Sequence, residues 1–253
     1  MPSVVSKKTA LITGCSDGGI GAAMAKILRE RDYHVFATLR NKSKAGALAS
    51  LSGKLDILIN NAGRDFLMPL LDVNIEEAKR FFDVNFWGAL AVTQAFSPMI
   101  IKAKGIILNY SSCCMYSTSK AALKQLSNVL RVELEPLGVR VVTAIIGAVH
   151  TNIFTNSTSE ALQLPANSYY EPIKHFLVDI REGKIHPKEQ DVDIAARHLL
   201  DDVFRGKDSY IWRGTTSTTC KWLSGWLPLW LLDNLNNGAR GVKELSQYYA
   251  KNP

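Results

Sequence analysis

The chain has 253 residues, of which 47% are hydrophobic, 9% aromatic and 21% charged. This length suits one α/β domain spanning residues 1–253, and the composition excludes a disordered chain, a collagen and a small disulfide-rich scaffold. Thirty Lys and Arg against 23 Asp and Glu give a net charge of +7, which favours anionic partners such as phosphates, anionic lipid or nucleic acid without choosing among them.

The cysteines and the N-terminal residues bear on compartment and targeting. The four cysteines are Cys15, Cys113, Cys114 and Cys220, and they form no C-x-x-C pair typical of a zinc site or a redox dithiol. We therefore expect a reducing, intracellular compartment and no metal. Met1 to Lys8 lacks the apolar segment of a signal peptide, and the longest charge-poor stretches, Val84 to Ile101 and Val141 to Ser159, contain polar residues. No membrane-spanning helix is expected.

Strands and helices alternate from the start of the predicted order. Runs of β-branched and apolar residues predict strands, and apolar residues at helical spacing, such as Ile20, Met24 and Ile27, predict helices. The first predicted elements are a strand over Lys8 to Thr13, a helix over Ile20 to Glu30, a strand over His34 to Leu39, a helix over Lys42 to Ser50 and a strand over Leu55 to Ile59.

The alternation continues towards the C-terminus. The next predicted elements are a helix over Ile75 to Ile101, a strand over Gly105 to Tyr110, a helix over Tyr116 to Leu134, a strand over Arg140 to Ile146, helices over Ile173 to Arg181 and Asp191 to Phe204, and a strand over Ser209 to Trp212. Because the strands are apolar almost throughout and alternate with helices, the fold class expected is α/β, with a parallel sheet covered on both faces.

A glycine-rich segment, T-G-C-S-D-G-G-I-G from Thr13, connects the first strand to the first helix. Glycines let the backbone turn tightly and approach a pyrophosphate, whose charge a helix N-terminus stabilises. A plain strand-to-helix turn is the alternative, since such a segment alone is weak evidence. The candidate cofactor-binding residues are Gly14, Ser16, Asp17, Gly19, Ile20 and Gly21.

The end of the second strand bears on the choice of cofactor. Enzymes that use NAD often carry an acidic residue here for the ribose hydroxyl, whereas those that use NADP carry an arginine for the 2′-phosphate. This chain has Arg40, which points to NADPH. The alternative is a solvated surface arginine.

Two further motifs follow the third and fourth strands. Asn60-Asn61-Ala62-Gly63 ends the third apolar strand, and Tyr116 and Lys120 are four residues apart on one helix face. An ammonium so placed can lower the pKa of the phenol and let it donate a proton near neutral pH. The pair alone is common by chance, but its position after the other two motifs makes it a strong indication.

With these motifs the chain resembles the short-chain dehydrogenase/reductase family over nearly its whole length. Within the family it is most similar to fungal NADPH-dependent 1-acyldihydroxyacetone-phosphate reductases. The segments that carry this likeness are T-G-C-S-D-G-G-I-G from Thr13, H-V-F-A-T-L-R from His34, D-V-N-F-W-G-A-L from Asp83 and G-A-V-H-T-N from Gly147.

The resemblance implies a single Rossmann-type doubly wound parallel sheet and catalytic roles for several residues. Tyr116 would donate the proton, Lys120 would lower its pKa and hold the nicotinamide ribose, and Asn85 would support a proton-relay water or, alternatively, cap a helix bend. Ser111 or Ser112 would hydrogen-bond the substrate carbonyl, and Ser112 is preferred because it is the second serine of the pair. A plain strand-end turn is the alternative for both. Further cofactor contacts are implied at Asn61, Ala62, Gly63, Val149 and Thr151.

Two departures from the family concern the nucleotide side. Gly18 and Gly19 together lengthen the first turn by one residue, which leaves open which glycine faces the pyrophosphate. The stretch from Arg40 to Leu55 has room for one helix but not for a strand and a second helix. We therefore expect the sheet order 3-2-1-4-5-6 without its edge strand 3, a new exposed edge, and weaker cofactor binding.

A third departure concerns the catalytic side. Only Cys113, Cys114 and Met115 separate Ser112 from Tyr116, whereas the family has a longer loop there. Proton donation needs heavy-atom distances of roughly 2.6–3.2 Å, so the shorter connection can displace either group. A catalytically impaired dinucleotide-binding protein is therefore a rival to an active enzyme.

The C-terminal part is expected to supply the variable region, residues 157–232, which forms the substrate lid in this family. It ends in W-L-S-G-W-L-P-L-W-L-L, from Trp222 to Leu232, which is too short to span a bilayer. Tryptophans and the neighbouring Lys221 suit a peripheral contact with an anionic membrane. A pocket wall or a dimer contact is the alternative.

The expected function is NADPH-dependent reduction of a ketone to a secondary alcohol, on a lipid-like substrate such as 1-acyldihydroxyacetone phosphate. This places the protein in the cytosol or at the surface of the endoplasmic reticulum or a lipid droplet, in lipid metabolism, as a homodimer or homotetramer. A tailoring ketoreductase of fungal secondary metabolism is an enzymatic alternative. Nucleic-acid binding is not expected, because the chain has no basic stripe or aromatic platform.

Overall fold

One parallel sheet of six strands organises the computed structural model, which describes residues 7–38, 53–64, 67–112, 118–151, 161–182, 184, 189–206, 209–237 and 240–252. The strand order is β2-β1-β3-β4-β5-β6. The strands are β1 (Thr9–Ile12), β2 (His34–Ala37), β3 (Ile57–Asn60), β4 (Ile106–Ser112), β5 (Arg140–Ile146) and β6 (Tyr210–Arg213).

Nine α-helices are found in the described ranges. They are α1 (Ile20–Glu30), α2 (Ile75–Phe82), α3 (Gly88–Ala103), α4 (Thr118–Leu134), α5 (Lys174–Arg181), α6 (Val192–Arg205), α7 (Ser217–Trp226), α8 (Leu229–Asn237) and α9 (Val242–Lys251). Short 3-10 segments over Leu70–Asp72, Glu135–Leu137 and Glu171–Ile173 lie between them. The predicted helix over Lys42 to Ser50 is outside the described residues.

The strand order matches the predicted doubly wound arrangement. Within the described ranges β2 forms one edge of the sheet, and β1 pairs in parallel with both β2 and β3. From β1 the chain adds β2 on one side, and it then adds β3 and the later strands on the other side. In parallel sheets a crevice opens at the carboxyl ends of the strands where the order reverses in this way, here between β1 and β3. The sheet therefore provides the expected position for a nucleotide.

Both faces of the sheet are covered, which explains the unbroken apolar strands. Side chains alternate between the faces of a strand, so Ala10 and Ile12 of β1 pack on one side and Leu11 on the other. The first side carries residues of α1 and α6, and the second carries residues of α3 and α4. Two apolar layers thus fix the sheet between the helices.

The predicted helix over Ile75 to Ile101 is one continuous helical stretch with an unexpected π-helical segment. That segment, Asp83–Trp87, lies between α2 and α3, and Pro98 is accommodated inside α3 instead of ending it. By length and composition Ile75–Ala103 is the one helix of the described residues that could cross a membrane. Because Val92, Phe96 and Met99 pack against the core, we describe it as a layer of the α/β fold.

A buried chain of polar side chains connects the sheet to both helices of the second layer. Asn60 Nδ2 donates to Asn109 Oδ1 at 2.8 Å and to Thr93 Oγ1 of α3 at 3.0 Å. Asn109 Nδ2 in turn donates to Ser127 Oγ of α4 at 2.9 Å. Buried polar groups stabilise a fold only when paired, so these bonds fix how α3 and α4 lie on the sheet.

Removing the central member of this chain should be costly. Asn109→Ala removes two buried hydrogen bonds, while Asn60 Nδ2 keeps its bond to Thr93 Oγ1 and Ser127 Oγ keeps its bond to Leu123 O. We therefore expect a loss of about 1–3 kcal/mol in the free energy of unfolding. Urea denaturation followed by circular dichroism measures it. Asn252→Ala, which removes an exposed amide on α9, is the matched control and should change stability by less than about 0.5 kcal/mol. Equal losses would contradict the role of the buried chain.

Candidate active site

The glycine-rich turn runs from the end of β1 to the start of α1 and lies against the segment that follows β3. Gly14 has φ of +72°, and a Cβ built there would be 2.7 Å from Ala62 Cα. A side chain at this position is therefore excluded twice, by the backbone conformation and by the neighbouring backbone. The two predicted motifs thus meet at one point.

The start of α1 fits a phosphate. Its N-cap, Gly19, has no side-chain cap hydrogen bond, and the first turn contains no acidic residue. The first N–H groups of a helix have no partner within the helix and carry partial positive charge, which makes such an end suitable for an anion. Ser16, Asp17 and Gly18, just before it, are exposed.

Asn61 shapes this turn. Its Nδ2 donates to Thr13 O at 2.9 Å and to Gly14 O at 2.8 Å. A Cβ at Gly21 would be 2.4 Å from the same nitrogen, so Gly21 is required for α1 to approach. The cofactor contact expected at Asn61 stays a prediction, while its observed bonds hold the glycine-rich loop in shape.

Thr13 is a positioning residue that the sequence analysis missed. Its Oγ1 accepts hydrogen bonds from the backbone N–H groups of Asn61 at 3.1 Å and Ala62 at 3.0 Å. The signal was available, because a threonine that ends a buried strand beside a glycine-rich turn has a hydroxyl to satisfy. Thr13 thus joins the carboxyl ends of β1 and β3.

Three of the predicted residues converge beside the segment after β3. A Cβ at Gly63 would lie 3.1 Å from Lys120 Nζ and 3.3 Å from Asn85 Oδ1. Lys120 Nζ donates to Tyr110 O of β4 at 3.1 Å. The ammonium therefore lies at the carboxyl end of the sheet, beside Gly63. Its role towards the cofactor and the phenol stays a prediction.

Asn85 is fully buried and lies in the π-helical segment. Its Oδ1 accepts from Arg64 N at 2.8 Å, and its Nδ2 donates to Arg64 O at 2.9 Å and to Ser119 Oγ at 3.0 Å. These bonds join the segment after β3 to α4, and they agree with the alternative of a residue that holds a bend. Its support of a relay water stays a prediction.

The two serines at the end of β4 differ in what the structure describes. Ser111 is buried, and its Oγ donates to Lys120 O at 3.0 Å, so this hydroxyl holds the start of α4. Ser112 ends β4, paired with Ile146, and remains the candidate for the carbonyl contact. Tyr116 and Arg40 lie outside the described residues, so their roles stay predictions.

With this geometry in place, the chain can be compared with known proteins. A sequence model described as short chain dehydrogenase matches residues 45–162. Short-chain dehydrogenase cctT of Talaromyces islandicus is 40% identical over 266 residues, which cover 91% of this chain and 94% of that protein. The chain belongs to the short-chain dehydrogenase family. Membership confirms the resemblance and the expected enzyme class, an oxidoreductase.

Two further comparisons concern a named reductase and a solved structure. The NADPH-dependent 1-acyldihydroxyacetone phosphate reductase of Schizosaccharomyces pombe is 36% identical over 214 residues, covering 70% of this chain and 72% of that protein. A short-chain dehydrogenase from Burkholderia cenocepacia, solved in complex with NADP, has a TM-score of 0.71 at 23% identity, covering 91% of this chain and 98% of that one. The latter likeness confirms the fold class.

The segment after β5 borders the dehydrogenase's crevice and is held from two sides. Val149 is buried and forms a parallel bridge with Gln190, and Ala148 forms an antiparallel bridge with Thr215. Thr151, a predicted cofactor contact, is half-buried where this held segment ends. His150, which precedes Thr151, forms a surface hydrogen bond in which its Nδ1 is 2.7 Å from Glu189 Oε2.

Cys15, inside the glycine-rich turn, is a neutral structural thiol. Burial raises its pKa to about 11, and its Sγ donates to Ile12 O at 3.4 Å. A thiol with so high a pKa is a poor nucleophile near neutral pH. Cys15 therefore contributes packing beneath the turn. In the part of the chain that the structure describes, no group of three or more His, Cys, Asp or Glu side chains could hold a metal ion.

Proposed function

We propose that this short-chain dehydrogenase reduces a ketone to a secondary alcohol with NADPH, and that the ketone is lipid-like, such as 1-acyldihydroxyacetone phosphate. The observation that carries the proposal is the meeting of Lys120, Asn85 and Gly63 beside a glycine-rich turn that fits a phosphate. The name of the Schizosaccharomyces pombe relative supports both the cofactor and the substrate class.

The residues of the crevice fit a dinucleotide. The uncapped start of α1 and the exposed residues 16–18 would bind its pyrophosphate, Arg40 its 2′-phosphate, and Lys120 its nicotinamide ribose. NADPH, when bound, supplies the hydride that reduces the carbonyl carbon. The remaining chemistry, which is proton supply and carbonyl orientation, belongs to side chains of this chain.

Proton transfer is assigned to Tyr116. Its phenol gives a proton to the substrate oxygen, and the nearby charge of Lys120 lowers the pKa of the phenol so that it does so near neutral pH. Lys120 is held for this task, because its Nζ donates to Tyr110 O and its own carbonyl accepts from Ser111 Oγ. Ser112, at the end of β4, orients the substrate carbonyl.

The short connection between β4 and α4 bears on whether the enzyme works. The start of α4 is bonded to the end of β4 twice, through Ser111 Oγ to Lys120 O at 3.0 Å and through Lys120 Nζ to Tyr110 O at 3.1 Å. These bonds hold the start of α4 against the end of β4 independently of the residues that connect them. This supports an active enzyme over the rival, an impaired dinucleotide-binding protein.

Two classes of ketone reductase differ in the substrate that they would reduce. A phosphorylated acyl-ketone suits a chain with net charge +7. A tailoring ketoreductase of fungal secondary metabolism is the alternative, and several fungal relatives are named only as short-chain dehydrogenases. We assign the protein to lipid metabolism. In this proposal it is a homodimer or homotetramer, and each chain is one domain over residues 1–253 with a substrate-binding region over residues 157–232.

A peripheral membrane contact would fit such a substrate. Trp222, Trp226 and Trp230 are 61%, 82% and 65% exposed, so they do not line a pocket inside the chain. Pro228 separates α7 from α8, and Lys221 stacks over the Trp222 ring at 5.9 Å. Indole rings favour the headgroup level, and basic residues add attraction to anionic lipid. We assign these helices to the surface of the endoplasmic reticulum or a lipid droplet.

Catalysis is tested by Tyr116→Phe. We expect kcat for NADPH-dependent reduction of 1-acyldihydroxyacetone phosphate to fall about 10²–10⁴-fold, because the proton donor is lost. The dissociation constant for NADPH, from quenching of protein fluorescence, should change little. Tyr248→Phe, which removes an exposed phenol on α9, is the control. Quenching by NADPH without turnover of this or any ring ketone in the wild type would support the binding protein instead.

Cofactor choice is tested by Arg40→Asp. Removing a charged hydrogen-bond donor from the 2′-phosphate and adding a like charge should raise KM for NADPH on the order of 10–100-fold. KM for NADH should stay the same or fall, since NADH lacks that phosphate. Steady-state kinetics with both cofactors measure the ratio. Equal effects on the two would reject the assignment.

Membrane contact is tested by flotation with vesicles. The wild type should float with vesicles of phosphatidylcholine and phosphatidylserine and much less with phosphatidylcholine alone. Replacing Trp222, Trp226 and Trp230 by serine should abolish flotation, because the buried indole area is lost. Val129→Ser/Val132→Ser, at exposed positions of α4, is the control. Failure of the wild type to float with anionic vesicles would remove the membrane assignment.

A further inference from the structure

Two segments that leave the carboxyl edge of the sheet meet outside it. Residues 67–74 follow β3, and residues 161–173 follow β5. Because β4 lies between β3 and β5, a contact between these segments passes over the carboxyl end of β4. That end carries Ser112 and lies next to Lys120, so the contact crosses the crevice assigned to the substrate.

The contact is a hydrogen bond between a hydroxyl and a carboxylate. Ser168 Oγ donates to Asp72 Oδ2 at 2.6 Å, and the bond is partly buried. Both partners are held locally, since Tyr170 N donates to Ser168 Oγ at 3.0 Å and Asp72 N donates to Pro69 O at 2.9 Å. Hydrogen bonds to an ionised acceptor are short and stronger than neutral ones. We call this Asp72–Ser168 bond the strap.

The last helix supports the strap from behind. Tyr249 OH of α9 donates to Tyr169 O at 3.0 Å. Gly241, just before α9, packs so closely that a Cβ there would lie 2.7 Å from Phe176 Cδ2. The segment after β5 is thus held between the strap on one side and α9 on the other.

Large apolar side chains surround the strap and face solvent. Leu70 and Leu71 immediately precede Asp72 and are 78% and 75% exposed, and Tyr169 immediately follows Ser168 and is 64% exposed. Because the strap joins Asp72 to Ser168, these three residues lie near one another at the surface. Exposed apolar groups that cluster in this way mark a binding surface.

We propose that the strap closes the outer side of the substrate crevice and that Leu70, Leu71 and Tyr169 form an apolar entrance for the aliphatic chain of the ketone. This inference rests on the proposed function and deepens it, because it names the residues that select a long-chain substrate. In this proposal the reacting carbonyl is bound on the inner side of the strap, while the chain of the substrate extends past the strap and covers the leucines.

The entrance is tested with methyl ketones from 2-butanone to 2-decanone. In the wild type, kcat/KM should rise with chain length, by up to about fourfold for each methylene that becomes buried. Leu70→Ser/Leu71→Ser should flatten this rise while leaving 2-butanone and the dissociation constant for NADPH unchanged. Leu137→Ser is the matched control, because Leu137 is exposed and lies just before the amino-terminal end of β5, away from the carboxyl ends of the strands.

The strap is tested by hydrogen exchange and by kinetics. Asp72→Ala should speed exchange in residues 161–173, and Ser168→Ala should speed it in residues 67–74, since each variant frees the segment across the crevice. A purely local role would not move the opposite segment. Both variants should raise KM for 2-decanone several-fold with kcat nearly unchanged, and their effects should not add in the double variant. Ser168→Thr, which keeps the hydroxyl, should restore the wild-type values.

The outcomes separate this inference from the proposed function. Two results would overturn the entrance and leave the proposed reductase intact. In the first, kcat/KM does not depend on the chain length of the ketone; in the second, it does, but Leu70→Ser/Leu71→Ser does not change that dependence. If no ketone is reduced, the proposed function fails. In that case the fluorescent fatty acid cis-parinarate, added with NADPH, decides the inference. Binding that the leucine substitutions weaken supports it, and absence of binding overturns it.

Discussion

The approach of two backbones between β1 and β3 is the constraint on which the site depends. The turn after β1 reaches the segment after β3 so closely that no side chain fits at Gly14 or Gly21. Thr13 and Asn61 bond the two segments across this contact. Because both segments start at the carboxyl ends of neighbouring parallel strands, their contact sets the floor of the nucleotide crevice and the direction of α1 above it.

The catalytic side depends on an equally local arrangement at β4 and α4. Lys120 is bonded to the strand both through its ammonium and through its carbonyl, so its position does not rely on the connection that precedes it. Asn85 adds a third support, because its amide bonds Arg64 on one side and Ser119 of α4 on the other. The position of Lys120 is thus fixed by β4 and by the residues around it, even where the chain between strand and helix is shorter than usual in the family.

Much of the fold is readable from the sequence because its signals are local. The bounds of α1 and β5 match the predicted ones, since a helical apolar pattern after Gly19 and a run of β-branched residues after Gly138 need no distant partner. The predicted helix over Asp191 to Phe204 begins one residue later, because Asp191 is its N-cap and accepts from Asp193 N and Ile194 N. Lys120 and Asn85, which the Tyr-Lys motif and the family resemblance pointed to, lie close to Gly63, and their catalytic roles stay predictions.

Other features depend on contacts that no local pattern contains. The π-helical segment over Asp83–Trp87 interrupts an otherwise regular helix, and the apolar pattern on either side of it is uniform. Ser168 and Asp72 are 96 residues apart in the chain, and neither belongs to a motif. The bonds of Asn61 to the glycine-rich loop were not predicted for a similar reason, since a motif names a residue without saying which of its neighbours it bonds.

The position of α9 along the chain has a consequence for synthesis on the ribosome. The glycine-rich turn and the segment that it contacts lie within residues 7–64, so the ribosome synthesises them early. Tyr249, which holds the segment after β5, emerges almost two hundred residues later than Asn61. Because a domain generally folds as a unit, translation arrested near the end would leave the segment after β5 without its support from α9.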